Sequence, residues 1–248
     1  MSTPGLNHHI AVTANLLLAL LPAAELAALR PHLTVVDLAS GDTIHEPDAP
    51  IQAVYFPLTG CSSVVATDAD GDMLEVGTVG REGLVGIAAF LDSDSGPLAT
   101  ICQISGDFAH LPTSALLAAA VPGTVLYRLL QHFTQATHLL TTQCAACNRF
   151  HDMGERCARW LLLSHDRMGQ DTFNLTHEFL GYMLGVRRPG VTVAMGGLQA
   201  ARLITYRRGE VTILDRDGLE NSACECYDII TKTYARLLGH YPKGTQPV

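Results

Sequence analysis

The sequence predicts an α+β fold in three parts: an N-terminal β-roll in residues 1–122, a long dimerisation helix in residues 123–150 and a C-terminal winged helix-turn-helix in residues 151–248. Short apolar runs separated by Gly, Pro and Asp fill residues 33–111, a pattern typical of small β-barrels and rolls. Apolar residues then recur at alternating spacings of four and three, as in paired helices. Two helix-period segments follow on either side of a glycine turn, and a hairpin pattern comes after them.

Composition and charge limit the classes of function that the protein can have. The 248 residues are 48% hydrophobic and 16% charged, which indicates a globular protein. The net charge of -8 is unevenly distributed: residues 1–147 carry three arginines against thirteen acids, whereas residues 148–248 carry thirteen Lys and Arg against eleven acids. A nucleic acid would therefore bind the C-terminal part. No apolar run approaches a membrane span or a signal peptide, so we expect a cytoplasmic protein with no membrane partner and free thiols.

The predicted roll contains five recognisable strands. Asp70-Gly71 between two of them is a strong hairpin signal. A roll of this kind can also host a metalloenzyme site of the cupin type, which needs clustered histidines. Residues 33–111 offer His45 and His110, far apart in sequence, and no nucleophile with a matching base, so we expect no enzyme and no catalytic residue. The strands are residues 33–38, 51–56, 62–67, 73–79 and 100–104.

The long helix has a seven-residue apolar repeat over about three heptads. An isolated pair of such helices is marginal, but the roll can support it, and the pattern predicts a homodimer with Thr137 as the weak position of its seam. The predicted seam residues are Leu126, Leu130, Phe133, Thr137, Leu140, Cys144 and Cys147.

Cys144 and Cys147 are a CxxC pair on that seam, a spacing found in redox and metal sites. Cysteine is also a small core hydrophobe, and we favour packing over a thiol-based redox or metal sensor. Cys224 and Cys226 form a second pair, and two thiols cannot complete a zinc shell. We therefore assign no metal ligands, and no cofactor is required by default.

The C-terminal helical segments carry start and stop signals. Thr176 can cap the first helix, Gly185 ends it, and Pro189 suits the first turn of the second. That second helix turns Val191, Met195 and Leu198 to one face. Arg188, Thr192 and Gln199 lie on its other face.

Three further elements flank the helix pair. Residues 203–206 and 211–214 alternate like two strands around a basic tip containing Arg207 and Arg208. An amphipathic helix in residues 151–168 has Arg156 and Arg159 on its polar side, and a final helix in residues 227–238 is expected on the same domain. A helix, a tight turn, a second helix with N-terminal cations and a basic hairpin are typical of a winged helix-turn-helix, with an ordinary helical hairpin as the alternative.

A family resemblance rests on these motifs. The order LTHEFLGYMLGVRRPGVT, LQ, YRRG and VTILDRDGLE resembles the winged helix-turn-helix of the Crp/Fnr family of bacterial transcription regulators. Residues 41–60 followed by GREGLVG at 80–86 resemble that family's cyclic-nucleotide-binding type roll, a double-stranded β-helix. The resemblance implies a homodimeric, sequence-specific regulator that binds a palindromic operator in double-stranded DNA. It also implies an unknown small-molecule effector sensed by the roll, and contact with RNA polymerase in an activator.

The resemblance also implies roles for individual residues. Thr176, His177, Arg207 and Arg208 match positions that touch phosphates, whereas Arg187 and Arg188 match the start of the recognition helix. Arg188 is the best candidate to contact a base edge. Pro189 and Val193 stand where many members have a glutamate and an arginine that read bases, so the familiar TGTGA-type half-site is not expected.

The expected effector site departs from the family's cyclic AMP pattern. Relatives use a glutamate and an arginine in a Gly-rich cassette, but here Val85-Gly86-Ile87 stands at the matching place, and no Lys or Arg lies between Arg81 and Arg128. A buried phosphate without a charge partner is costly, so we do not expect cyclic AMP in the usual mode. The candidates for binding another anion are Gly80, Arg81, Glu82 and Gly83, with a purely structural turn as the alternative.

Overall fold

Two antiparallel sheets form the N-terminal roll in the structure of the chain, a computed structural model that describes residues 11–244. One sheet has the order β1-β7-β3 and the other β2-β6-β4-β5. All five predicted strands are confirmed, and Gly71 has a φ of 88° in the β4–β5 turn, a backbone conformation that favours glycine. The strands are β1 (Thr34–Leu38), β2 (Thr43–His45), β3 (Ala53–Pro57), β4 (Cys61–Thr67), β5 (Met73–Val79), β6 (Ala99–Ile104) and β7 (Gly106–Pro112).

Four helices flank the roll: α1 (Leu16–Ala19), α2 (Ala23–Leu29), α3 (Thr113–Ala119) and the long α4 (Val125–Phe150). Asn15 caps α1, and its buried amide donates to the carbonyl oxygens of Pro57 and Gly83, which attaches α1 to the roll. At the start of α4, the backbone N–H groups of Val125 and Leu126 each donate to one carboxylate oxygen of Glu25 at 2.9 Å. A carboxylate at a helix N-terminus is electrostatically favourable, so the first turn of α4 is well anchored.

The C-terminal part contains five helices and a three-stranded sheet of order β8-β10-β9. The sequence pattern did not indicate β8, which has only three residues. Its elements are α5 (Met153–Met168), β8 (Thr172–Asn174), α6 (His177–Leu184), α7 (Arg188–Ala200), β9 (Ile204–Arg207), β10 (Glu210–Ile213), α8 (Arg216–Ser222) and α9 (Cys226–Leu238). Within residues 11–244 no helix has both the length and the apolar composition needed to cross a membrane.

The final helix, α9, packs antiparallel along α4 and not on the helix-turn-helix as expected. His132 Nδ1 lies 2.8 Å from the Leu237 carbonyl oxygen, and the Phe133 and Tyr234 rings meet edge to face. This packing corrects the predicted dimer seam, because the chain itself covers most of that stripe. Five of its seven side chains are at most 1% exposed in the single chain: Leu126, Leu130, Phe133, Leu140 and Cys147.

Helix α5 lies at the centre of the molecule, and its predicted polar side is buried. Arg156 and Arg159 are 9% and 4% exposed. Arg167, near the end of the same helix, forms an ion pair of 2.7 Å with Glu82 of the roll, and both side chains are almost fully buried. Trp160 donates from its indole nitrogen to Glu75 of β5 at 3.0 Å. Helix α5 therefore joins the roll to the helix-turn-helix through polar contacts.

Candidate nucleic-acid interface

The turn between α6 and α7 is built as the sequence predicts. The Thr176 hydroxyl accepts the backbone N–H of Phe179 at 3.1 Å, and Gly185 ends α6 with a φ of 62°. At Gly181 an added Cβ would lie 2.9 Å from the Val186 carbonyl oxygen, so the close approach of the two segments requires glycine there. The apolar faces of both helices are buried: Leu180, Met183 and Leu184 on α6, and Val191, Met195 and Leu198 on α7.

The opposite face of α7 is open to solvent. Arg187 and Arg188 are exposed at its N-terminus, and among the described residues neither forms an ion pair. Thr192, Val193 and Gln199 are exposed further along the helix. Cations at a helix N-terminus oppose the helix dipole, whereas an anion there is favoured. These two arginines are therefore available to an external anionic partner.

The hairpin of β9 and β10 supplies two more cations. Arg208 and Gly209 have φ values of 53° and 82°, the two positive angles of a type I′ hairpin turn. The Gly209 carbonyl oxygen accepts the N–H of Leu175 at 2.8 Å, which fixes the turn beside the start of α6. Arg207 and Arg208 are exposed, so the hairpin presents its charges next to the Thr176 cap.

His177 needs correction as a phosphate-binding candidate. Its Nδ1 lies 3.0 Å from the Thr192 hydroxyl, and its ring stacks on Tyr206 with centroids 4.3 Å apart. Among residues 11–244 its buried Nε2 has no hydrogen-bond partner, and burial, assisted by the Arg188 charge, lowers the pKa of His177. His177 therefore links the start of α6 to α7 and to the hairpin through contacts within the chain.

Thr192 and Gln199 also have contacts within the chain. The Thr192 hydroxyl donates to the Arg188 carbonyl oxygen at 3.1 Å, and Gln199 Nε2 donates to the Tyr206 carbonyl oxygen at 3.4 Å. Both side chains remain exposed. Arg187 and Arg188 are thus the side chains at this end of α7 that combine charge, exposure and the absence of a side-chain hydrogen bond or ion pair among the described residues.

A cavity of about 430 Å³ lies between the roll and α4. Gly86 and Ile87 of the predicted cassette line it, as do Thr137 and Thr141 of α4. Within the described chain its lining contains no Lys or Arg, and its titratable side chains are His45 and Glu46. Burial lowers the pKa of His45, whose Nε2 lies 2.9 Å from the Ala53 carbonyl oxygen. The cavity therefore offers no cation to a phosphate.

Gly80, Arg81, Glu82 and Gly83, the candidates for anion binding, do not line this cavity. Glu82 is committed to Arg167, and it also accepts the N–H of Gly80 at 3.2 Å. An added Cβ at Gly80 would lie 2.6 Å from the Arg167 side chain, and one at Gly83 would lie 2.5 Å from the Phe133 ring. The Arg81 carbonyl oxygen accepts the N–H of Leu16. This turn therefore fastens α1 and α5 to the roll.

The roll touches the helix-turn-helix beside the basic end of α7. Leu74 of β5 packs against the turn at Gly185, where an added Cβ would lie 2.8 Å from its Cδ1. Asp72, from the β4–β5 turn, and Arg187 and Arg188 line the same surface groove. The acidic turn of the roll therefore lies close to the unpaired arginines.

The cysteines do not group as the CxxC spacing suggested. Cys144 points to Arg159, whose Nη1 lies 3.6 Å from its sulfur. Cys147 instead meets His151, Cys224 and Cys226, and in the described residues these four side chains converge with ligand atoms within 4.8 Å of one another. A hydrogen bond from Cys224 lowers the pKa of Cys147 to about 5 against the effect of burial. The C-x3-H and C-x-C spacings were the sequence signal for this cluster.

His45 and His110, the histidines considered for a cupin-type site, both contact the Tyr55 ring. His45 and His110 both pack edge to face against Tyr55, with centroids 5.8 and 5.2 Å away. Neither belongs to the group of potential metal ligands found in the described residues.

Comparison with known proteins agrees with this architecture. The sequence pattern of the Crp-like helix-turn-helix domain matches residues 155–222. Residues 155–222 therefore contain a Crp-like helix-turn-helix domain. This Crp-like domain contains α6, α7 and the hairpin described above. No curated protein gives a significant match.

Solved structures share this fold over about four fifths of the chain. FixK2 from Bradyrhizobium japonicum is similar at 20% identity with a TM-score of 0.66, covering 77% of this chain and 98% of its own. A putative transcriptional regulator of the Crp/Fnr family from Eubacterium rectale has 16% identity and a TM-score of 0.64, covering 84% and 98%. CLP, a c-di-GMP responsive global regulator from Xanthomonas campestris, has 20% identity and a TM-score of 0.60, covering 77% and 99%. At these identities the likeness establishes the fold.

Proposed function

We propose that this protein is a transcription regulator of the Crp/Fnr type, which acts as a homodimer and reads a palindromic DNA operator, with α7 in the major groove and the roll tuning the fit. The observation that carries the proposal is the exposed, unpaired Arg187 and Arg188 at the N-terminus of α7. Buried apolar contacts hold α7 in place, so ordering the helix on DNA costs little entropy. Helices of this type place their N-terminal residues against base edges.

The exposed arginines fall into two groups, one placed to contact base edges and the other placed to contact phosphates. Arg188 lies on the solvent face of α7, where its guanidinium can donate two hydrogen bonds to guanine O6 and N7. Arg207 and Arg208, with the Thr176 end of α6, lie where a phosphate backbone would pass. Phosphate contacts determine affinity and register, and base contacts determine sequence preference.

In the proposed dimer the two α4 helices meet through a face other than the apolar stripe. Because α9 and the roll cover the apolar stripe, the twin helix must meet the face that α4 leaves exposed. That face also has spacings of four and three, and its residues are Gln131, Gln135, His138, Thr142, Ala145 and Arg149. A polar seam pairs more weakly than an apolar one, so we expect DNA with two half-sites to strengthen dimerisation by mass action.

The effector proposal follows from the lining of the cavity. CLP responds to c-di-GMP, but the cavity of this chain has no cation among its described lining residues to neutralise phosphates. We propose an uncharged or weakly basic small molecule that the Glu46 and Thr137 side chains can contact. Movement of the roll would reach α7 through Leu74 and the turn at Gly185. If the protein activates transcription, RNA polymerase is a further partner.

Sedimentation with and without duplex DNA tests the oligomeric proposal. Full-length protein should sediment as a dimer at micromolar concentration, and a palindromic duplex should bind two chains. A folded monomer that binds one chain per duplex would contradict it. Titrating cyclic AMP and c-di-GMP into the same protein should show no micromolar binding, and saturable binding of either would overturn the effector proposal alone.

A further inference from the structure

The cysteine and histidine cluster has the dimensions of a tetrahedral metal site. The sulfurs of Cys147 and Cys224 are 3.5 Å apart, and Cys226 Sγ lies 3.4 Å from His151 Nδ1. Zinc bonds of about 2.3 Å to sulfur and 2.0–2.1 Å to nitrogen separate tetrahedral ligand atoms by roughly 3.5–3.8 Å. A disulfide needs sulfurs about 2.05 Å apart, so the observed distance fits unbonded thiols around a single ion.

We propose that Cys147, His151, Cys224 and Cys226 form a closed structural site for Zn²⁺ that fastens the start of α9 to the end of α4. Three sulfurs and one imidazole are a set that zinc favours in structural sites, and four protein ligands leave no open coordination position. All four ligand atoms lie within 4.8 Å of one another, which suits one ion. An iron–sulfur cluster would spread its ligands over several iron atoms.

The residues around the cluster support this assignment. His151 turns its other ring nitrogen to Glu225, 3.1 Å away, and this carboxylate orients Nδ1 towards the three sulfurs. Ligating histidines are commonly held in this way. Gln143 Nε2 donates to the Cys226 sulfur at 3.1 Å. The cluster therefore has both the ligands and the polar groups that would orient them.

Buried positive charge beside the cluster provides a second, independent observation. Three thiolates around Zn²⁺ leave one net negative charge, which has to be compensated in a buried site. Arg159 is 4% exposed, and among residues 11–244 its Nε has no hydrogen-bond partner and its side chain forms no ion pair with a carboxylate. Its charge faces Cys144, Cys147 and Cys224. An anionic metal–thiolate centre would supply the missing countercharge.

The location gives the site a structural task. Glu225 precedes α9 without capping it through its side chain, and two ligands, Cys224 and Cys226, flank this helix start. Cys147 lies in the last turn of α4, and His151 is the C-cap residue that follows it. A bound ion would thus hold α9 over the apolar stripe of α4, close to the junction with α5.

Metal analysis of the purified full-length chain under reducing conditions tests the proposal. We expect one zinc per chain in the wild type, and Co²⁺ in its place should give the absorption of tetrahedral cobalt–thiolate coordination. Cys147→Ser, Cys224→Ser and Cys226→Ser should each weaken metal binding at least roughly tenfold. Cys144→Ser is the matched control, because Cys144 lies on the same helix three residues away and outside the cluster, and it should keep the metal.

Cysteine alkylation of the wild-type protein tests the site without any variant, so the test does not depend on variants that fold. Zinc should protect Cys147, Cys224 and Cys226 from alkylation, as mapped by peptide mass spectrometry, without changing the alkylation of Cys144. Zinc-free protein that gains neither metal nor protection on reconstitution would overturn the proposal. So would equal metal loss in Cys144→Ser, a Cys147–Cys224 disulfide in protein prepared under reduction, or bound iron–sulfur. None of these outcomes depends on DNA binding.

Discussion

Two sets of arginines in the C-terminal part of the chain behave in opposite ways. One set is exposed on the recognition helix and hairpin, and the other is buried, wholly or largely, around α5. The exposed set is Arg187, Arg188, Arg207 and Arg208. The buried set is Arg156, Arg159, Arg167 and Arg216.

The difference shows that local position decides the task of a cation. An exposed arginine has little desolvation cost and is free to bind an external anion, whereas a buried one is tolerated only with partners. Arg167 pairs with Glu82, and Arg216 lies 2.7 Å from the buried carboxylate of Asp166. The positive charge of residues 148–248 is therefore not one DNA-facing patch, and substitutions in the two sets should separate stability from DNA binding.

Breaking the Glu82–Arg167 pair should have the largest effect. Arg167→Met leaves the Glu82 carboxylate buried without its partner, and we expect a loss of about 3–5 kcal/mol in the free energy of unfolding. Urea unfolding followed by circular dichroism measures it. The double variant with Glu82→Gln should recover part of the loss, and a cost below about 1 kcal/mol in the single variant would show that the pair does not hold the junction.

Glu75 should make the same junction sensitive to pH. Desolvation raises the pKa of Glu75 to about 7, although Ser63 and Trp160 donate hydrogen bonds to it. As pH rises from the ordinary glutamate pKa to about 7, the folded state keeps a proton that the unfolded state has lost, so stability falls. Glu75→Gln should remove this fall, on the order of 2 kcal/mol, in unfolding experiments at pH 5 and 8. Parallel pH profiles for the two proteins would contradict the assignment.

Arg188 and Arg208 should separate sequence reading from phosphate binding. Arg188→Ala should cost about 1–3 kcal/mol on the preferred duplex and relax one base position. Arg208→Ala should weaken preferred and random duplexes alike and lower the salt slope by about one. Fluorescence anisotropy over a salt series measures both. Neither variant should change the free energy of unfolding by more than about 0.5 kcal/mol, and equal losses on both duplexes for both variants would remove the distinction.

The acidic turn of the roll should have the smallest effect. Asp72 shares a groove with Arg187 and Arg188, so its charge competes with DNA phosphates. Asp70→Asn with Asp72→Asn should tighten DNA binding by about 0.2–1 kcal/mol at low salt, and the gain should fade as salt rises. Asp94→Asn, an exposed acid elsewhere on the roll, is the control and should change nothing. Weaker binding in the double variant would mean that the turn supports α7 instead.

The parts predicted from the sequence are those that local chemistry determines. The Thr176 cap, the left-handed Gly185 and the hairpin with its tip at Arg207 and Arg208 each depend on a few neighbouring residues, so the sequence pattern predicts them. Strand positions in the roll follow from alternation in the same way. The apolar stripe of α4 is buried, although α9 and the roll cover it and not the predicted twin helix.

The remaining features depend on distant segments. A heptad pattern shows that an apolar stripe will be covered, but not whether a twin helix or α9 covers it. Arg156 and Arg159 lie opposite an apolar stripe, which usually indicates solvent, yet α5 is enclosed on all sides. Cys147 meets Cys224 across 77 residues of sequence, a contact that neither CxxC spacing nor helix periodicity reveals.

Selection of bound duplexes from a random library, for the wild type and Arg188→Ala, tests the central claim most directly. The account predicts enriched palindromes whose half-sites are about 34–36 Å apart, one helical turn, with one position in each half relaxed in the variant. No enrichment, or a single unrepeated site that Arg188→Ala leaves unchanged, would contradict it.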